Sequence, residues 1–124
     1  MRKSASSTLA TASTLALMLG SLAITPQAAL AEEASVLDEG KAIAFDRKKG
    51  NCLACHKMKD GTLEGNIGPA LVNMADRYPD KKMLRDQIWD ATKINPYTIM
   101  PPYGKHKILT EEELDKVVEF IYTR

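Results

Sequence analysis

Apolar positions along the chain recur at helical spacing. Near the C-terminus, Leu114, Val117, Val118 and Ile121 stand at i, i+3, i+4 and i+7, one stripe of a helix. Thr110-x-x-Glu113 just ahead of them has the form of a capping box. Upstream, Leu84, Ile88 and Ala91 share a face of a stretch running from about Asp80 to Thr92, introduced by Pro79 and stopped before Pro96. Pro69 is suited to start a shorter helix that turns Leu71, Met74 and Ala75 inward. Ser35-x-x-Asp38 resembles another capping box, opening a helix through about Lys48 that carries Val36, Leu37, Ile43, Ala44 and Phe45 and ends ahead of Gly50. No stretch alternates as a strand would and no segment repeats, so the fold expected is all-α with ordinary apolar cores on each stripe. The first and last helices are expected to cross, Gly40 allowing close approach near Phe120 or Tyr122.

Residues 1–31 differ in kind from the rest of the chain. Arg2 and Lys3 precede a charge-free run that lasts to Glu32, apolar over Leu15–Ile24 and broken at Pro26. Ala29-Leu30-Ala31 supplies the small-x-small pattern of a cleavage site, so this segment reads as a secretory signal peptide rather than a membrane anchor. Its apolar core is shorter than the ~20 residues a spanning helix needs. The expectation is therefore an exported, periplasmic protein with no stable membrane anchor and one small domain over 32–124. The whole chain carries a net charge of only +1, which argues against nucleic acid as a partner. A domain this small has a modest core and gains from a disulfide, a metal or a cofactor.

The chain's two cysteines lie in one motif, Cys52-Leu53-Ala54-Cys55-His56. CxxCH is the attachment motif of c-type haem. Two thiols on one turn can each add to a vinyl group, and the histidine after them lies under the porphyrin as proximal ligand. A thioredoxin-like dithiol would sit in a βαβ setting, of which there is no sign. Zinc would want four ligands, and using Cys and His alone it would take every such residue after residue 31. A disulfide closing so short a loop would restrain little of the unfolded chain. Export also favours haem, because c-type attachment takes place outside the cytoplasm. The expectation is one covalent haem c held by Cys52 and Cys55 with His56 on the iron.

The second axial position has several candidates. Met58 follows His56 too closely to reach the opposite face of the ring. Met74 and Met83 fall in the helical patterns and read as core fillers. His106 lies between Lys105 and Lys107 and reads as part of a solvated turn. Met100 stands in Asn-Pro-Tyr-Thr-Ile-Met-Pro-Pro-Tyr-Gly (95–104), a segment whose prolines and glycine argue against helix and would hold a thioether in place. Met100 is therefore the expected distal ligand, and a His/Met pair suits electron transfer. Gly68-Pro69 offers a carbonyl that would fix the His56 ring, although a turn with a helix start explains it equally well. Arg47, Lys48, Lys49, Lys57 and Lys59 bracket the motif, with Lys105 and Lys107 past the ligand loop and Glu111, Glu112, Glu113 and Asp115 beyond. Steering of acidic partners and a solvated mixed surface are both open readings.

Gly-Pro-x-Leu after the haem motif and a Met-Pro loop make the chain similar to small class I cytochromes c, which implies about four helices wrapped around one covalent haem. The stretches AFDRKKGNCLACH (44–56), GNIGPAL (65–71), LRDQIWDAT (84–92) and NPYTIMPPYGKHKILTEEELDKVVEFI (95–121) resemble, more narrowly, the SoxX family, the monohaem subunit of the SoxAX cytochrome of thiosulfate oxidation. That resemblance implies a SoxA-like haem subunit as partner. It implies an activity, L-cysteine S-thiosulfotransferase, that conjugates thiosulfate to the SoxY carrier cysteine within SoxYZ. The sulfur chemistry would fall to SoxA, and this chain would accept the electrons and pass them to a soluble cytochrome. Carried over by position, Cys52 and Cys55 are anchors, His56 the proximal and Met100 the distal ligand. No residue here would be catalytic. A free diffusible monohaem carrier and a haem-free thiol oxidoreductase are the competing functions.

Overall fold

The computed structural model describes residues 26–124. Among them are four α-helices and no strand: α1 (Pro26–Phe45), α2 (Met74–Arg77), α3 (Lys81–Trp89) and α4 (Glu111–Tyr122). Single 3₁₀ turns lie at Cys52–Ala54 and Ala91–Lys93. No helix of the described residues is long and apolar enough to cross a membrane. The expected signal segment falls outside the described residues except for 26–31, which are helical.

Helix α1 departs from expectation at both ends. Ser35 is not a cap but a mid-helix residue whose hydroxyl donates to Glu39 Oε1 at 3.2 Å. Ala28-Ala29-Leu30-Ala31-Glu32-Glu33-Ala34 consists of strong helix formers with no breaker, so helix extends through a pattern that only mimics a start. At the other end the helix stops at Phe45 because Asp46 captures the next amides. Its carbonyl accepts from Lys49 N and Asn51 N, and its carboxylate from Lys48 N at 2.8 Å.

Helices α1 and α4 form the scaffold. A Cβ on Gly40 would fall 2.0 Å from the Lys116 carbonyl oxygen, so only glycine lets the backbones approach this closely. Phe45 and Phe120 meet edge-to-face beside that crossing, centroids 5.8 Å apart at 82°. The α4 capping box forms in full: Thr110 Oγ1 accepts from Glu113 N and Glu113 Oε2 from Thr110 N. Leu114, Val117, Val118 and Ile121 are all buried, as their spacing predicts, and Phe120 joins them.

The middle of the chain is less helical than expected. Pro69 does not start a helix; α2 begins only at Met74, behind Asn73 at φ 52°. The intervening backbone is engaged elsewhere. Leu71 N donates to Lys57 O at 2.9 Å, and Ala70 O accepts from Arg77 Nη1. Met74 is buried, but Ala75 is exposed rather than inward. Asp80 caps α3 by accepting from Lys82 N at 2.9 Å. Leu84 and Ile88 are buried as predicted, whereas Met83 is 54% exposed and no core filler. One residue before Leu84, Met83 points about 100° away from the buried stripe.

Candidate haem site

The first wall of the site is residues 50–71. Asn51 at φ 46° turns the chain into the 3₁₀ turn over Cys52–Ala54. Cys55 N and His56 N both bond back to Cys52 O, at 3.2 and 2.9 Å. Both cysteines are free and partly buried, and with His56 they line one apolar cleft. Burial pushes the Cys52 thiol up to about 11. That is opposite to the lowered value that makes a redox dithiol nucleophilic. Among the described residues, no three His, Cys, Asp or Glu side chains are placed to share a metal ion.

His56 Nδ1 stands 2.7 Å from the carbonyl oxygen of Pro69. A prolyl carbonyl has no proton to give, so Nδ1–H donates and Nε2 is the ring nitrogen left for another partner. Gly68 packs against the ring: a Cβ there would lie 2.5 Å from Cε1 and 2.7 Å from Nδ1. The ring is thus held by a hydrogen bond at Nδ1 and by bare backbone packed against Cε1 and both nitrogens. Such a hold orients an imidazole toward a metal.

A second wall is the strap 95–109. Thr98, Ile99, Met100, Pro101 and Tyr103 line the same cleft as Cys52, Cys55 and His56. Met100 N donates to Thr98 Oγ1 at 3.2 Å. The strap hangs from the end of α3, with Tyr103 N on Ile88 O, and Gly104 N and Lys105 N on Trp89 O. Gly104 lies flat on Trp89, where a Cβ would fall 2.0 Å from Cε3. Lys105 Nζ donates to the buried carboxylate of Asp90 at 2.9 Å, and Thr92 Oγ1 and N donate to the same group. These contacts hold the Asp90 carboxyl below its ordinary value, the Thr92 bond first and Lys105 next. Leu84, Ile88, Leu109, Val117 and Ile121 from α3, α4 and the strap close the back of the cleft.

The other methionines and His106 fall elsewhere, except Met74. Met58 is buried in the core and absent from the cleft lining. Its amide donates to Glu64 Oε1 at 2.8 Å. Met74 is both core and cleft wall. His106 is exposed, outside the lining. The basic residues near the motif are exposed, although Lys49 pairs with Glu113. The acidic group on α4 is largely engaged: Glu111 and Asp115 with Arg85, Glu112 with Lys116. Tyr103 is the residue that motif reading passes over. It is 9% exposed, and its hydroxyl donates to Gly50 O at 2.6 Å. Burial and the two nearby thiols raise it to about 12.

An apolar cleft with two thiols and an oriented imidazole on one wall and a thioether on the other fits a planar, mostly apolar group bearing a metal. Residues 36–121 match the family model described as "Cytochrome C oxidase, cbb3-type, subunit III", and the chain belongs to that family of c-type cytochromes. The family implies an electron-transfer cytochrome carrying haem c. Among solved structures it is similar to the "Crystal structure of SoxXA from P. pantotrophus". The two share 27% identity over 69% of this chain and 79% of that one, with a TM-score of 0.63. The SoxX-like character and the small all-α cytochrome fold expected from the sequence agree with this match. A curated relative, an "Uncharacterized lipoprotein" of Aquifex aeolicus (strain VF5), is 36% identical over 76 residues, 60% of this chain. The aligned part spans only 37% of that relative's length.

Proposed function

We propose that this chain is the electron-accepting subunit of a SoxXA-type enzyme of thiosulfate oxidation. In this reading, thioether bonds to Cys52 and Cys55 anchor one haem c, which supplies a one-electron iron centre when bound. His56, through Nε2, and Met100 would be the residues that hold its iron. Pro69 O holds the proton on Nδ1 and fixes the ring, Gly68 leaves the ring room, and the apolar back wall excludes water. A metal centre held by both His56 and Met100 would suit electron transfer rather than substrate binding. Conjugation of thiosulfate to a SoxYZ carrier is left to a SoxA-like partner, and electrons leave to a soluble cytochrome. Removal of residues 1–31 would deliver domain 32–124 to the periplasm.

The observation that carries the reading is the His56 Nδ1 contact with Pro69 O at 2.7 Å, in a cleft that Met100 lines from the other wall. A dithiol oxidoreductase has no use for that geometry. The test is expression with a c-type maturation system, a haem stain on a denaturing gel, and co-expression with a SoxA-like subunit. A covalent stain, co-purification and thiosulfate conjugation on SoxYZ are expected. A haem-free chain would overturn the cofactor assignment. The family's description as an oxidase subunit favours a second reading, a free monohaem carrier in another respiratory pathway. A stained protein that remains monomeric and does not support conjugation would establish that reading instead.

A further inference from the structure

The two walls of the cleft are joined by a single polar contact. Residues 46–73 bond among themselves, and the strap 95–109 bonds to the end of α3. Among the described residues, the only hydrogen bond between these two segments is Tyr103 Oη to Gly50 O, at 2.6 Å. Both of its ends are held. Tyr103 N donates to Ile88 O, and its carbonyl accepts from Ile108 N at 2.9 Å. Gly50 N is tied to Ile43 O at 3.1 Å, and a Cβ on Gly50 would fall 2.8 Å from that oxygen, so the glycine is jammed against α1. Gly50 sits just before Cys52, and Tyr103 just after Met100.

We propose that Tyr103 is a positioning residue. Its hydroxyl latches the Met100 strap to the attachment wall and sets how readily the distal side opens to an outside ligand. The proposal rests on the reading of Met100 as distal ligand. Besides freeing Met100, opening the strap breaks this hydrogen bond and no other hydrogen bond between the walls, so the hydroxyl acts on the open–closed equilibrium directly. Tyr103→Phe keeps the ring, its burial and both backbone anchors, and the chain is expected to fold.

The test titrates oxidised holoproteins with imidazole and follows the methionine–iron charge-transfer band. Losing one buried hydrogen bond predicts about five- to tenfold tighter imidazole binding in Tyr103→Phe. Val118→Ala, in the core and off the cleft lining, controls for general destabilisation. It is expected to melt lower yet bind imidazole as the wild type does. If Tyr103→Phe melts lower with wild-type imidazole affinity, the hydroxyl is only structural and the latch is overturned. A wild-type protein without covalent haem, or without the methionine band, would instead show the Met100 reading to be at fault and would take the latch down with it.

Discussion

The two walls of the cleft are built on different principles. The attachment wall is tied mostly to itself: Gly65 N on Leu53 O, Gly68 N on Cys55 O, Leu71 N on Lys57 O and the His56–Pro69 contact hold it, with Gly50 N on Ile43 O as a link to α1. The strap also bonds within itself, as at Ile108 N and Leu109 N on Tyr103 O, but most of its outside anchors are supplied by Ile88, Trp89 and Asp90 at the end of α3. A self-bonded loop keeps its shape when its neighbours move, whereas a hung strap moves with the helix that carries it. Under the proposed function, one wall would hold a fixed proximal histidine. The other is suited to a distal ligand whose hold can be adjusted.

This difference means that each wall should fail separately. The largest effect is expected from Gly104→Val, because even a Cβ would fall 2.0 Å from Trp89 Cε3 and 2.2 Å from Cδ2. Overpacking of this kind costs about 3 kcal/mol. The strap should lift, and spectra should show the methionine band lost while the haem stain persists. A retained band would mean that the strap does not depend on Trp89.

A smaller effect, about 1–3 kcal/mol, is expected from Gly68→Ala. Its methyl group would displace the His56 ring from Pro69 O. Holoprotein yield should fall and the midpoint potential shift, while hydrogen exchange at the Tyr103, Gly104 and Lys105 amides stays as in the wild type. Loss of protection at those amides would show that the walls are coupled more tightly than one hydrogen bond allows.

The smallest effect lies in acid. Because the Asp90 carboxyl is held below its ordinary value of 3.8, the stability it contributes is complete above that value. It is lost as pH falls through the lower folded value. The melting-temperature gap between the wild type and Asp90→Asn should therefore hold steady between about pH 5 and 7 and close below about pH 4. A gap that does not depend on pH would mean the carboxylate charge contributes nothing.

Much of the scaffold could be read from the sequence because its determinants are local. Thr110 and Glu113 stand at capping distance, the α4 stripe repeats at helical spacing, and Gly40 is small where two helices must cross. The same locality misled at Ser35, where a cap-like spacing sits inside a run of helix formers, and at Met83, one position off its stripe. Pro69 was open between helix start and carbonyl acceptor. The absence of helix over 69–73 removes the first, and the 2.7 Å contact places the carbonyl on His56. Tyr103 could not be read at all, because its partner Gly50 lies 53 residues away and a backbone carbonyl leaves no mark in a sequence. What a motif records is the chemistry. The long-range contact that holds the motif in place goes unrecorded.

The proposal that one iron is held by His56 and Met100 is tested most directly by Met100→Ala expressed with a c-type maturation system. The expected product is a covalently stained protein that has lost the methionine–iron band, has a lower midpoint potential and binds imidazole freely. A variant with the wild-type band and potential would contradict the assignment.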